Sequence, residues 1–191
     1  MRVVATYSFK KGREAIQLGF KKELEEVLKV ISSVDASRCK TKVSKEKTMP
    51  GRILYSPIAI NREFKTLFTA KRWQKVRIRV ATNVPELGKE YRHQGFREMD
   101  FVKNKLGVEV QFGKYAFMVY NVAAKMTIFA RQDKIHVGIE IVPMLSLAKN
   151  MSTGVSYFEQ MKTDLEMRGV SDIDIPVLII GVVDSPKGKK I

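Results

Sequence analysis

Short alternating or wholly apolar runs along the chain are interleaved with longer stretches of helical spacing. Val3 to Phe9 reads as a short strand. From Gly12 to Ser32 the apolar residues fall at Ile16, Phe20, Leu24, Val27, Leu28 and Ile31, which is one face of a helix. Its other side carries Lys21, Lys22, Glu23, Glu25 and Glu26. Lysines at helical spacing from these acids favour a solvated face, and approach of one acid to a metal is the second reading. Asp35 to Arg52 is polar and basic and closes on Pro50-Gly51, so it reads as a long loop. Asn61 to Lys71 predicts a short amphipathic helix with Phe64, Leu67 and Phe68 on one side, followed by Trp73 as packing. Val76, Ile78 and Val80 alternate with Arg77 and Arg79, as in a half-buried strand. Glu86 to Arg92 predicts a weak helix, leading to His93.

The second half continues the alternation. Lys114 to Arg131 predicts a long, largely apolar helix, and Ile135 to Val142 a buried strand that contains His136 and ends at Pro143. Leu145 to Asn150 reads as a turn or short helix, and Ser152-Thr-Gly154 as a loop before a helix over Ser156 to Arg168. Pro176 to Val183 is almost wholly apolar, as in a central strand covered on both faces. A basic tail, Pro186-Lys-Gly-Lys-Lys190, follows. No repeat or interdomain linker interrupts residues 1–191, so the expectation is one α/β domain with a central mixed sheet flanked by helices.

Between these elements lies Met99-Asp-Phe-Val-Lys-Asn-Lys-Leu-Gly-Val-Glu-Val-Gln-Phe112, a hairpin turning at Asn104 and Lys105. Antiparallel pairing about that turn sets Asp100 opposite Glu109, with β-carbons roughly 5 Å apart. Alternation places Glu109 and Gln111 on one face. Two unpaired carboxylates so close repel one another, and a divalent cation removes the repulsion. The other reading is surface ion pairing with Lys103, Lys105 or Lys114.

Charge sharpens the choice. Against 20 Asp and Glu stand 35 Lys and Arg, a formal net charge of +15 in 191 residues. Such a balance suits a polyanion, nucleic acid before an anionic membrane surface. Lys40, Lys42 and Lys45 in the Asp35–Arg52 stretch form either an arm over phosphates or a merely solvated loop. Acids held among so many cations would repel nucleic acid unless they bind a metal. The single cysteine, Cys39, excludes an intramolecular disulfide and a cysteine zinc cluster. His93 and His136 match no metal spacing. No apolar run nears the ~18 residues of a membrane span, and the start is too short and too soon interrupted by Lys10 and Lys11 for a signal peptide. The expected location is the cytoplasm, with no membrane partner.

The segment Asp100-Phe-Val-Lys-Asn-Lys-Leu-Gly-Val-Glu109-Val-Gln111-Phe-Gly-Lys-Tyr-Ala-Phe117 resembles the active-site segment of type II restriction endonucleases of the BglII and BstYI group, within the PD-(D/E)xK nuclease superfamily. Further similar blocks are Asp35 to Thr48, Ile53 to Asn61, Asp133 to Met144 and Met151 to Glu159, with the BstYI branch the closer and residues 75–95 weak. The resemblance implies a restriction-endonuclease-like fold. It implies a homodimer that cuts both strands of double-stranded DNA at a palindrome with a GATC core (RGATCY), leaving 5′-phosphate and 3′-hydroxyl ends. The implied cofactor is Mg²⁺, with Mn²⁺ able to substitute.

By the same resemblance Asp100 and Glu109 match the metal-binding acids, the Val110 carbonyl is a further ligand, and Gln111 stands where most of the superfamily has lysine. A glutamine amide does not titrate, so it can orient water but cannot act as a base. The base is then hydroxide generated with the metal, a substrate phosphate or solvent, the metal being preferred. Gly113 and Lys114 match positions facing the major groove. Lys114 could read guanine or only touch a phosphate. Ser152 and Thr153 match a second recognition loop, with a helix cap as the plain alternative. Lys125 lies beside the position of a recognition arginine, where this chain has Ala124. The helix side with Ala116, Tyr120, Ala123 and Ala124 either joins the dimer or is buried in the monomer. A structure-specific repair or junction nuclease, a non-cleaving DNA-binding module and an RNA-associated basic protein are the rival functions.

Overall fold

The computed structural model describes residues 1–83, 92–168 and 175–185. Six strands form one mixed sheet in the order β1-β8-β7-β6-β5-β4. They are β1 (Arg2–Phe9), β4 (Gln74–Asn83), β5 (Arg92–Lys103), β6 (Leu106–Val110), β7 (Val137–Pro143) and β8 (Val177–Val183). The three central strands, β6, β7 and β8, run parallel, and their outer neighbours pair antiparallel. Every residue of β6 and β7 is buried, which is why these strands read as near-continuous apolar runs.

Helices cover both faces. On one face α1 (Gly12–Gly19), α2 (Lys21–Ser33) and α3 (Pro57–Ala70) bury Ile16, Val27, Phe64 and Phe68 against Val108, Ile139 and Ile180. On the other, α4 (Tyr115–Tyr120), α5 (Met126–Arg131) and α7 (Phe158–Arg168) bury Met118, Met126, Phe129 and Met161 against Met99 and Ile179. A four-residue helix, α6 (Leu145–Ala148), follows β7. The expected α/β fold with a helix-flanked mixed sheet is what forms.

Several boundaries differ from expectation. The helix expected over Gly12–Ser32 is two helices, because Phe20 leaves the helical region at φ −138° and ψ 34°. The start of α1 is anchored on the sheet: a β-carbon at Gly12 would lie 2.2 Å from the Val177 carbonyl carbon. The Asp35–Arg52 stretch is not wholly loop. It holds a 3₁₀ turn at Ala36–Cys39, and β2 (Lys42–Val43) pairs with β3 (Ile53–Leu54). α3 begins at Pro57 rather than Asn61, because Ser56 caps it by accepting from the Ala59 amide at 3.3 Å, with proline in the first turn. The long Lys114–Arg131 helix forms, but a π-helical turn at Asn121–Lys125 divides α4 from α5. His136 lies outside its strand, exposed, with Nε2 2.9 Å from Asp133. The Glu86–Arg92 helix falls almost wholly outside the described residues, and so do the His93 side chain and the basic tail.

Candidate active site

The hairpin between β5 and β6 turns as its sequence requires. Asn104 and Lys105 take positive φ angles of 47° and 68°, as the two central residues of a tight hairpin turn do. The ladder pairs Lys103 with Leu106, Val102 with Gly107 and Phe101 with Val108, the register deduced from the turn. One step further along lie Asp100 and Glu109. There β6 continues beside β7, with Glu109 level with Glu140 and Val110 level with Ile141. Asp100 and Glu109 thus sit at the carboxyl end of a parallel strand, where open α/β sheets place their ligands.

The two acids are pinned to each other's backbone. The Asp100 amide donates to Glu109 Oε1 at 3.3 Å, and the Val110 amide donates to Asp100 Oδ2 at 3.2 Å. Asp100 is half-buried, whereas the Glu109 side chain is only 3% exposed. The cation that meets Glu109 is none of the three lysines expected. Lys103 pairs with Glu26 at 2.7 Å, Lys105 pairs with Asp133 at 2.7 Å, and Lys114 is exposed. Instead Lys125 Nζ lies 2.8 Å from Glu109 Oε1. Lys125, expected on DNA, is therefore turned inward.

Glu140 completes the buried cluster. Oε1 accepts from Asn121 Nδ2 at 3.1 Å, while Oε2 has no partner among the described residues. The π turn carries both Asn121 and Lys125, so one helical irregularity supplies both contacts. Burial pushes the Glu109 carboxyl up to about 8, with Asp100 acting in the same direction and Lys125 against it. Burial, then the charge of Glu109, raises the Glu140 carboxyl well above its ordinary value. Acids displaced in this way are characteristic of functional sites.

A cleft of about 200 Å³ opens beside this centre, lined by Asn61, Lys65, Thr69, Trp73, Lys75, Asp100, Phe101 and Val110. Among the described residues no group of three or more His, Cys, Asp or Glu side chains could hold a metal unaided. The oxygens of Asp100, Glu109 and the Val110 carbonyl nonetheless suit Mg²⁺, which takes one or two carboxylates and completes its shell with water and phosphate. The repulsion by Asp100, which adds to burial in lifting Glu109, is of the kind a divalent ion would relieve. Two of the acids of α2 are engaged elsewhere, and the third, Glu25, is exposed: Glu26 holds Trp73 Nε1 and Lys103, and Glu23 holds Asn104.

The two loops expected to read bases meet. Lys114 bridges to Val155, the Tyr115 amide donates to the Gly154 carbonyl at 3.2 Å, and the Gly113 carbonyl accepts from the Ser156 amide at 3.0 Å. Gln111 belongs to the same loop, with Nε2 donating to the Lys114 carbonyl at 3.2 Å. A β-carbon at Gly113 would lie 3.0 Å from that amide nitrogen, so the glycine leaves room for Gln111. Ser152 and Thr153 do not cap α7, which begins only at Phe158. They are held by the basic arm: Lys42 donates to Ser152 Oγ, and the Thr153 amide donates to Glu46 at 3.0 Å. Lys40 lies over the Tyr55 ring and Lys45 is exposed, neither joined to this cluster.

Sequence reasoning missed Glu140, Asn121, Glu46 and the α3 wall of the cleft. A glutamate inside the apolar run Ile139-Glu-Ile141 was a readable signal for the first, and the spacing of Asn61, Lys65 and Thr69 for the last.

Comparison with known proteins gives the family and the fold. The type II restriction enzyme BglII of Bacillus subtilis is 26% identical over 168 residues, covering 85% of this chain and 68% of the relative. The crystal structure of restriction endonuclease BglII complexed with a DNA 16-mer superposes with a TM-score of 0.73 at 19% identity, covering 98% of this chain and 78% of that one. Free BglII superposes at 0.63 and 17% identity, covering 98% and 82% of the respective chains. The family model for restriction endonuclease BglII/BglIII matches residues 4–182, and the chain belongs to that family of type II restriction enzymes.

Proposed function

We propose that this deoxyribonuclease cuts both strands of duplex DNA at a short palindrome with a GATC core, of the form RGATCY given its likeness to the BstYI branch, and leaves 5′-phosphate ends. Residues 1–191 act as one catalytic domain. The observation that carries the reading is the Asp100–Glu109 pair, held at the carboxyl end of β6 beside a cleft that also presents Lys65 and Lys75. Asp100, Glu109 and the Val110 carbonyl would hold Mg²⁺ or Mn²⁺. When bound, such an ion polarises the phosphoryl group and lowers the pKa of water.

The protein's own part is positional. Asp100 is fixed by the Val110 amide, and Glu109 by the Asp100 amide and by Lys125. Gln111 offers a neutral amide that orients water without taking its proton. Gly113, Lys114, Ser152 and Thr153 form one joined surface at this end of the sheet and read the bases. Lys40, Lys42 and Lys45 follow the backbone as positioning contacts, and Lys125 reaches DNA only if it leaves Glu109. A palindromic site calls for a twofold dimer, each subunit cutting one strand. The face with exposed Ala116 and Phe117, the latter 61% accessible, is the surface for that dimer.

Digestion of long DNA in Mg²⁺, with the ends sequenced, tests the reading. Ends confined to one palindrome with a GATC core support it. Scattered ends would show cutting by structure, and intact DNA would show a binding module.

A further inference from the structure

One wall of the cleft beside Asp100 is the α3 face formed by Asn61, Lys65 and Thr69. The three residues are four apart, so they line up along one side of the helix. Their neighbours hold that face in place. Phe64 stacks on Phe112 with centroids 5.8 Å apart, and Phe68 stacks on Phe101 at 4.3 Å. Phe101 directly follows Asp100, so α3 cannot roll relative to the acidic centre without breaking ring contacts. The stripe is therefore a fixed part of the cleft.

Its chemistry is that of a donor surface: an ammonium, an amide and a hydroxyl. The other cleft cation, Lys75, is bonded to Glu98, which also accepts from Arg77 Nε at 2.6 Å. Lys65 has no ion-pair partner among the described residues and is exposed. Eight residue steps along a helix cover about 12 Å, comparable with three or four nucleotides of one strand at about 3.4 Å each. Ammonium, amide and hydroxyl groups are the side-chain donors that proteins direct at phosphate oxygens.

We infer that Lys65, with Asn61 and Thr69, grips phosphates of the cleaved strand beside the bond that faces Asp100. This rests on the DNA-cleaving reading above. Lys65 is then a phosphate-positioning residue, and its contribution is the same whatever the base sequence.

The test is binding of a short duplex carrying the GATC palindrome, and of a shuffled duplex, across a KCl series with Ca²⁺ in place of Mg²⁺. Lys65→Gln should make the slope of log affinity against log salt shallower by about 0.9 per protomer on both duplexes, weakening binding about fivefold per protomer at physiological salt. Lys65→Arg should keep the wild-type slope. Asn61→Ala and Thr69→Ala should weaken binding and leave the slope unchanged. An unaltered slope in Lys65→Gln, or a loss confined to the palindromic duplex, overturns the inference. Unchanged DNA binding with altered divalent-ion affinity in the absence of DNA also overturns it, by making Lys65 a counter-charge to Asp100. A wild type that binds and cuts DNA alongside such a result leaves the nuclease reading standing, whereas a wild type that binds no duplex overturns both.

Discussion

The burial of Glu109 predicts a stability that falls as pH rises. Its carboxyl is lifted from 4.5 to about 8 in the folded protein, chiefly by burial and then by Asp100. An acid whose folded pKa lies above its unfolded value binds its proton more tightly when folded. That contribution is complete below about pH 4.5 and is lost as pH climbs through 8. The slope is at most about 1.4 kcal/mol per pH unit, and the loss by pH 8 is on the order of 4 kcal/mol. Glu109→Gln removes the titrating group and keeps its shape. Near pH 5 the wild type already faces Lys125 with an uncharged group, so the variant should match it closely. The assay is urea unfolding in EDTA at several pH values, comparing the two proteins so that most other titrations cancel. The variant should gain on the wild type steadily from pH 5 to 8. Parallel stabilities across that range would refute the reasoning and show that Lys125, 2.8 Å away, outweighs burial and keeps Glu109 charged.

Asp100→Asn should slow cleavage about a thousandfold or more, equivalent to about 4 kcal/mol of barrier, while duplex binding in Ca²⁺ is retained or tightened. Normal-rate cleavage by that variant, followed by single-turnover kinetics, would remove Asp100 from the metal site. Phe117→Ser should weaken dimerisation by about 2 kcal/mol, the scale of an aromatic anchor, and should convert double-strand breaks into nicks at low protein concentration. Sedimentation velocity and plasmid nicking measure the two effects.

Much of the scaffold was readable from local rules. The apolar run ending at Val183 is a central strand, and the Asn104-Lys105 turn fixes the register as far as Phe101 and Val108, the neighbours of Asp100 and Glu109. What escaped depends on contacts between elements distant in sequence. Phe20 reads as a helix residue by spacing, yet the chain turns there so that α1 and α2 can each meet the sheet. Lys125 reads as a DNA-contacting cation by its resemblance, because nothing local announces the π turn that aims it at Glu109. Glu46 reads as one charge in a basic loop, and only the fold brings it to the Thr153 amide. The stripe on α3 has visible spacing, but its meaning comes from Phe68 stacking on the residue after Asp100.

The most direct measurement is a crystal of the protein with a GATC-containing duplex and Mn²⁺, read by anomalous scattering. The account predicts an ion about 2.1 Å from an Asp100 carboxylate oxygen and from the Val110 carbonyl, facing a phosphate of the cleaved strand. An ion bound elsewhere, with the Asp100 and Glu109 oxygens directed away from every phosphate, would contradict it.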